Sequence, residues 1–205
     1  MSIKIKIDER ELQKQLLNEI RRKIISSIPT IQTALSSKLE KVLFQRLISG
    51  LPTISPNDLA EIGIPDIQSR MVEIVRAASK SFEIKVQPAN LLKISIGIIK
   101  ADYSDLLSLN EAILVYSSSK GSGVLPWLQW LLTEGSGTIV QGYNFSPSSS
   151  PASRTGGGLM VVGNGWQVPQ HLAGTQMDNF LMRSLTNIDK DLEMIMKQVL
   201  NSSIR

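Results

Sequence analysis

The sequence predicts an α+β fold with long N-terminal helices, a small, mostly antiparallel sheet and a C-terminal helix. Apolar residues recur at spacings of three and four in residues 8–50 and 175–200, which is the period of an amphipathic helix. Short segments between residues 82 and 168 alternate apolar and polar residues, as half-buried strands do. Of the 14 glycines, 11 lie between Gly121 and Gly174, so that part is predicted to be rich in turns.

Residues 1–80 are predicted to be mainly helical. The alternation in Ile3–Ile7 indicates a strand, and a long helical stretch begins at Asp8 and ends before Gly50. Its apolar face is formed by Leu12, Leu16, Ile20, Ile24, Ile28, Ile31, Leu35, Leu39 and Val42. Pro29 removes a backbone donor, which predicts a kink or two helices meeting near Ser26–Thr30.

A linker over residues 52–65 separates this helical stretch from the next helix. It contains three prolines and a glycine, with at most a short helical turn at Asn57–Glu61. Pro65 is predicted at the first position of a helix over residues 66–79. The predicted buried face of that helix is Ile67, Met71, Ile74, Val75 and Ala78.

Residues 81–205 are predicted to hold the sheet, the Gly/Ser-rich loops and the C-terminal helix. Two alternating segments, 82–86 and 92–98, predict a hairpin, followed by a loop or short helix at 102–110. Further strands are predicted at 112–116 and 138–143, with a short helix at 126–132 between them. A loop is predicted over 144–158 because its middle is a run of Ser and Pro.

Two further signals lie in the last 50 residues. Asn164-Gly165, between apolar segments 159–162 and 166–168, predicts a tight hairpin turn. Thr175–Asp178 resembles a capping box that opens one C-terminal helix. The heptad stripe of that helix is Leu181, Leu185, Ile188, Leu192, Ile195 and Val199.

Length and composition limit the possible classes of protein. A chain of 205 residues can bury a sizeable core, and we predict a single domain over residues 1–205. Cysteine is absent, which excludes disulfides, thiolate metal sites and cysteine nucleophiles. The longest near-apolar stretch, Leu125–Leu132, is too short to span a bilayer, and the N-terminus lacks the apolar region of a secretory signal. We therefore expect no membrane association.

The sequence predicts no catalytic, cofactor-binding or metal-binding residues. His171 is the only histidine, and no cluster of acidic residues accompanies it in sequence. A serine hydrolase that uses His171 as its base is a rival hypothesis. The glycines of Ser153–Gly158 run into an apolar strand instead of opening a helix, which differs from a phosphate-binding loop.

Six residues are candidates for an interface between subunits. The helix that carries Trp127 and Trp130 is apolar nearly all round, so it is either a core helix or one shared with a neighbouring subunit. The full candidate set is Trp127, Trp130, Arg154, Trp166, Leu185 and Leu192.

Part of the chain resembles structural proteins of tailed-bacteriophage virions. The resemblance is carried by Val124–Gly135 (VLPWLQWLLTEG), Ser153–Gly156, Trp166–Pro169, Ala173–Thr175 and Asn179–Arg183. It is closest to neck or tail components of the tail-completion or tail-terminator kind. It implies a homo-oligomeric ring or head–tail connector without enzymatic activity or cofactor, which binds other neck and tail proteins and contacts DNA passively in the channel. Such a subunit is made in the host cytoplasm and resides in the virion.

The charge distribution supports an alternative. Residues 1–100 carry 16 basic and 10 acidic residues, whereas residues 101–205 carry 6 and 8. A basic N-terminal half is usually a solvated surface, but it also favours a basic nucleic-acid-binding accessory protein.

Overall fold

A computed structural model describes residues 9–88, 92–100, 102–118, 121–135, 137–149, 153 and 156–203. The fold is α+β, as the sequence predicts. The helices are α1 (Glu9–Ser49), α2 (Pro56–Ile62), α3 (Ile67–Lys80), α4 (Ser104–Leu107), α5 (Trp127–Leu132), α6 (Phe180–Ser184) and α7 (Asp189–Ser203), with a 3₁₀ turn at Asn110–Ala112. The strands are β1 (Phe82–Pro88), β2 (Leu92–Ile98), β3 (Leu114–Ser118), β4 (Gly121–Leu125), β5 (Val140–Pro147) and β6 (Gly158–Trp166). Among these described helices, none is long and apolar enough to cross a membrane.

The strands form three separate antiparallel sheets of two strands each, β1 with β2, β3 with β4 and β5 with β6. The hairpin of β1 and β2 is confirmed, and the predicted short helix before residue 110 is α4. Strand β4 is not anticipated by the sequence, because its Gly-Ser-Gly start has little strand propensity. Pairing with the apolar strand β3 stabilises β4 despite its low strand propensity.

The chain divides into two compact units that are interleaved in sequence. The first contains the described residues up to Leu39, Glu83–Gly97 and the residues from Asp189 onward. The second contains Glu40–Phe82 and Ile98–Ile188. The predicted single domain stays a prediction.

The second unit has the larger apolar core. Helix α3 contributes the face that the sequence predicts, since its five named apolar residues are all buried. They join the tryptophans of α5 and β6, Tyr103, and the apolar residues of α6. This core fixes the base of the β5–β6 hairpin, which bears on function below.

In the first unit, apolar residues of α1 and α7 are buried. Ile31, Leu35 and Leu39 are buried on α1, and Ile195 and Val199 are buried on α7. Lys38 of α1 also donates a hydrogen bond to the Gln198 side chain of α7, at 3.0 Å. The last two turns of α1 within this unit therefore have a partner helix, whereas residues 10–23 are exposed throughout.

Helix α1 continues through Pro29, so of the two predicted alternatives the meeting of two helices is wrong, and the kink stays a prediction. Pro29 and its neighbours Ile25 and Ser26 are exposed, so solvent can reach the carbonyl that the proline leaves without a backbone donor. Thr33 adds a side-chain hydrogen bond to the Pro29 carbonyl, at 3.0 Å. The predicted strand at residues 3–7 lies outside the described residues.

The predicted helical turn in the linker is α2, but α3 begins one residue later than the predicted Asp66. Its first residue is Ile67, and Asp66 precedes it in the left-handed conformation, with φ 57°. Gly63 ends α2 with φ 69°. Pro65 lies between Gly63 and Asp66, so it belongs to the connection between α2 and α3 instead of to the first turn of α3.

Asn164-Gly165 does not form a hairpin turn, which corrects the prediction. Both residues lie inside the continuous strand β6, where Gly165 pairs with Gln141 of β5. Strand β5 is also longer than predicted and takes in Asn144–Pro147, the first part of the predicted loop. Pairing over the full length of both strands outweighs the local turn preference of Asn-Gly.

The predicted single C-terminal helix is also wrong. Thr175–Asp178 forms a separate turn, and α6 begins only after Asn179. The chain leaves α6 after one turn, and α7 starts at Asp189 behind Asn187, whose φ is 61°. The heptad stripe is therefore distributed over two helices and the turn between them.

Candidate assembly surface

Strands β5 and β6 form the longest hairpin of the structure, called the β5–β6 ribbon below. At its base Val140 pairs with Trp166, and at its other end Pro147 pairs with Gly158. A β-bulge on β6 interrupts the register, because Gly163 and Asn164 together lie opposite Gly142, between the pairs Gln141–Gly165 and Tyr143–Val162. Gly142 has φ 74°, a conformation that glycine adopts without the steric penalty of a side chain.

One face of the ribbon is apolar and largely exposed. Tyr143 lies opposite Val162, and Phe145 lies opposite Met160, so their side chains share a face. These four residues are called the ribbon face. Val162 is 87% exposed, Tyr143 46% and Met160 40%, whereas Phe145 is half-buried against the core of the second unit. Contiguous apolar exposure of this kind marks interaction sites more often than isolated surface residues do.

The ribbon also carries no charged residue, in either 140–147 or 158–166. Natural sheets protect exposed edges with charged residues, prolines or short strands. Within the described residues no third strand pairs with β5 or β6, so each has an edge without a strand partner, and α2 lies close to β5. The ribbon therefore combines an apolar face with two edges that can accept another strand.

The base of the ribbon is fixed to α5 by two tryptophans. Trp166 is buried at the end of β6 and meets Trp130 edge to face, with ring centroids 5.6 Å apart. The Trp166 carbonyl accepts a hydrogen bond of 2.8 Å from the Ile139 backbone. An open groove of about 680 Å³ lies beside this contact, lined in part by Val124, Trp130 and Ile139.

A buried asparagine holds α5 and α6 together beneath the ribbon. Asn179 is 0% exposed, and its Nδ2 lies within hydrogen-bonding distance of Tyr103 Oη (2.8 Å), the Leu132 carbonyl (3.2 Å) and the Thr175 carbonyl (3.0 Å). Its Oδ1 caps α6 by accepting from the backbone N–H groups of residues 181 and 182, both at 3.1 Å. One side chain thus joins four segments of the second unit.

Two glycines bring the Ala173–Thr175 segment directly against α5. A Cβ on Gly174 would lie 2.1 Å from the Leu131 carbonyl oxygen, and one on Gly135 would lie 2.5 Å from the Trp130 carbonyl oxygen. Glu134 and Thr175 form an isolated antiparallel bridge between the same segments. Most of the residues that carry the resemblance to virion proteins therefore meet in one tightly packed region.

No protein-family model, curated protein or solved structure matches the chain.

The structure places most of the predicted interface residues inside the second unit. Trp127, Trp130 and Trp166 are buried, and Trp127 Nε1 donates to the Glu111 carbonyl at 2.8 Å. Leu185 is half-buried against the same core, and Leu192 is half-buried on α7 of the first unit. Arg154 lies outside the described residues.

Sequence analysis allows two interpretations of the Trp127/Trp130 helix, a core helix or a helix shared with a neighbouring subunit. The burial of this helix in the second unit fits a core helix. Exposed apolar side chains of the second unit include Tyr143, Met160 and Val162 of the ribbon face. Sequence analysis missed them because Tyr143 falls at the end of a short predicted strand, and the predicted turn separated Val162 from its partners. The signal was present in the uncharged, alternating pattern of residues 140–147.

The only histidine contacts a buried carboxylate. Asp58 is 8% exposed, and its Oδ2 accepts hydrogen bonds from the Ser55 backbone (2.8 Å) and hydroxyl (2.7 Å). His171 Nε2 lies 3.2 Å from the same oxygen. Ser55 and Asp58 form a capping box at the start of α2, since the Asp58 backbone donates to Ser55 Oγ at 3.1 Å.

This arrangement differs from a serine hydrolase triad. In a triad the serine hydroxyl donates to histidine, and the carboxylate orients the opposite ring nitrogen. Here the Ser55 hydroxyl donates to Asp58 itself. The described part of the chain also contains no group of three His, Cys, Asp or Glu residues placed to hold a metal ion. The cluster is suited to capping α2 and tying it to the segment that carries His171.

Burial of Asp58 by itself raises its pKa, but the hydrogen bonds from Ser55 and the interaction with His171 outweigh that effect and leave the pKa below its usual value. A lowered pKa stabilises the fold at pH values above that of an unfolded aspartate, about 3.9, and this stabilisation is lost as Asp58 is protonated at lower pH.

We expect Asp58→Ala to lower the free energy of unfolding by about 2 kcal/mol at pH 7, because it removes the cap and leaves donors unpaired. The difference from the unaltered protein should begin to shrink below about pH 4, where the unfolded carboxyl is protonated, and shrink further as folded Asp58, whose pKa is lower, is protonated too. Urea unfolding followed by tryptophan fluorescence at several pH values measures both effects. A difference that stays constant down to pH 2 would show that the charge of Asp58 contributes nothing.

Proposed function

We propose that the chain is a non-enzymatic structural subunit of a tailed-bacteriophage virion, forming an oligomeric ring or connector at the neck or tail in the manner of tail-completion or terminator proteins. The observation that carries the proposal is the β5–β6 ribbon, with its exposed apolar face, open edges and lack of charge. The resemblance of residues 124–183 to virion proteins supplies the location. The subunit is synthesised in the host cytoplasm and resides in the virion.

A closed ring requires each copy to present two different surfaces, one to each neighbour. In the second unit the ribbon face provides one apolar surface, and the groove beside Trp130 provides a second, different one. The ribbon face of one copy packs against the groove side of the next. Other neck and tail proteins bind the rims of the ring, and DNA passes through the channel with nonspecific contacts.

The test is the assembly state of the purified full-length protein, measured by light scattering and by negative-stain electron microscopy. We expect rings or oligomers well above the 22.6 kDa monomer, alone or after addition of a neck or tail partner. Val162→Lys should abolish assembly, because it places a charge in an apolar contact. The monomer should stay folded, since the Val162 side chain is 87% exposed.

Met194→Lys is the control. Met194 is also an exposed apolar residue, 53% exposed on α7, and it lies outside both the ribbon face and the groove. Equal loss of assembly in both variants would show that the ribbon face has no special role. A protein that stays monomeric with every virion component would contradict the proposal, and salt-sensitive binding to duplex DNA by that monomer would favour the nucleic-acid-binding alternative.

A further inference from the structure

The ribbon contains the only Asn-Gly sequence of the chain, Asn164-Gly165. An asparagine followed by glycine is prone to deamidation, because the glycine backbone lets its nitrogen reach the asparagine side chain with little steric hindrance. Asn164 is exposed and lies in the β-bulge of β6, where two residues oppose Gly142. Water and dissolved base therefore reach a reactive sequence at a point where the regular ladder is interrupted.

The Gly165 nitrogen, which is the atom that must react, is held by another side chain. Its N–H donates a hydrogen bond of 3.0 Å to Asn144 Oδ1 of β5. Asn144 lies opposite Val161, so its carboxamide extends across Gly163 to reach Gly165. A Cβ on Gly163 would lie 2.5 Å from Asn144 Nδ2 and 2.8 Å from Asn144 Oδ1. The contact between Asn144 and Gly165 therefore depends on the lack of a side chain at residue 163.

Deamidation at this site needs only water as a second reactant. The Gly165 N–H loses its proton to a base in solution, and the nitrogen forms a bond to Cγ of Asn164. The bond between Cγ and Nδ2 breaks, and ammonia leaves with a proton from the solvent, which closes a succinimide ring. Water then opens the ring at either carbonyl and gives aspartate or, when the main chain continues through the side-chain carbon, isoaspartate. Nothing is oxidised or reduced in this sequence.

Two features of the ribbon oppose the first step. A strand keeps its backbone extended, so the Gly165 nitrogen can approach Cγ of Asn164 only after the strand opens locally. The hydrogen bond to Asn144 must break as well, because it occupies the proton that has to leave. Loss of that single bond therefore makes opening more frequent and exposes the N–H to base.

We propose that Asn164 is a deamidation site and that the Asn144 side chain restrains the reaction through its hydrogen bond to the Gly165 N–H. The reaction places a negative charge in a ribbon that has no charged residue. Isoaspartate also adds a carbon atom to the main chain of β6 close to Trp166, which is buried at the base of the ribbon. Asn144 therefore protects the ribbon chemically. This inference goes beyond the proposed function and holds whether or not the protein forms rings.

The test is the rate of deamidation of the purified full-length protein at mildly alkaline pH. Mass spectrometry of the peptide that contains residue 164 measures it, after chromatography has separated the aspartate and isoaspartate forms. We expect Asn164 to react much more slowly in the folded protein than in the same protein unfolded in urea. Equal rates in the two states would show that the fold restrains nothing, and an unreactive Asn164 in urea would show that it is not a deamidation site. Either result overturns the proposal.

Asn144→Ala should accelerate the reaction in the folded protein roughly fivefold, the change in an opening equilibrium that loss of one hydrogen bond gives. Gly163→Ala should accelerate it too, because the added Cβ displaces the Asn144 side chain. Asn144→Asp keeps the acceptor and should leave the rate close to that of the unaltered protein. An unchanged rate in Asn144→Ala, or equal acceleration by Asn144→Asp, would overturn the proposal.

Gln141→Ala is the matched control. Gln141 is an exposed residue of β5 that pairs directly with Gly165, and the substitution removes a side-chain carboxamide as Asn144→Ala does. The rate of deamidation at Asn164 should stay unchanged in this variant. Equal acceleration by Gln141→Ala and Asn144→Ala would assign the effect to general loosening of the ribbon and overturn the role of Asn144.

Discussion

Replacing Asn179 with alanine is expected to lower the free energy of unfolding by about 4 kcal/mol, the largest effect of any single side-chain removal that we predict. The substitution removes the cap of α6 and leaves the Leu132 carbonyl and the Tyr103 hydroxyl without the Asn179 donor, while the Thr175 carbonyl keeps only the Asp178 backbone N–H. All these groups lie in or beside the core, where an unpaired polar group costs far more than it does in water. Urea unfolding monitored by tryptophan fluorescence measures the loss.

Asn179→Asp separates the two roles of this side chain. The carboxylate still accepts from the first backbone N–H groups of α6 but cannot donate to the three acceptors, so a loss of stability is expected here as well. Asn57→Ala is the control, because Asn57 is exposed on α2 and its loss should change stability by less than about 0.5 kcal/mol. Equal stabilities of Asn179→Ala and Asn57→Ala would show that the hydrogen bonds of Asn179 contribute nothing.

Two elements with a regular apolar period are predicted well, although the heptad stripe of residues 181–199 is divided between α6, a turn and α7. The five buried residues of α3 follow from the spacing of apolar residues in residues 66–79, because a helix of that length presents one continuous face to the core. The β1–β2 hairpin follows from two alternating segments separated by Pro88 and Asn90 in the sequence. In both places local preference and tertiary packing favour the same structure.

Elements that depend on distant partners are predicted poorly. Asn164-Gly165 is a strong local turn signal, yet pairing with β5 keeps it extended, and only knowledge of the partner strand could reverse that prediction. Thr175–Asp178 has the residues of a capping box, but α6 is capped by Asn179, whose hydrogen bonds reach Tyr103, 76 positions earlier in the chain. A local motif cannot reveal a contact of that range.

The candidate assembly surface also shows this difference between what local sequence patterns predict and what distant packing decides. The tryptophans were predicted as interface residues because large aromatic residues are common both in cores and at interfaces, and sequence alone does not separate these settings. The structure buries Trp166 at one end of β6 and exposes Val162, four residues earlier in the same strand. Which end of a strand is covered depends on its neighbours, here α5, and that information lies outside the local pattern.

The second large effect is expected for Gly174→Ala, which should lower the free energy of unfolding by about 3 kcal/mol. The added Cβ would lie 2.1 Å from the Leu131 carbonyl oxygen and 2.7 Å from the Asn179 Cβ, so the segment must move away from α5 and weaken the hydrogen bonds of Asn179. Gly97→Ala is the matched control, since a Cβ there meets no atom within 4 Å and its backbone needs no glycine conformation. Chemical denaturation of both variants gives the comparison.

Since Gly174 belongs to the segment that packs against α5, the folded fraction of Gly174→Ala should also assemble less well than Gly97→Ala under the same conditions. Unaltered stability of Gly174→Ala would mean that the Ala173–Thr175 segment does not pack directly against α5.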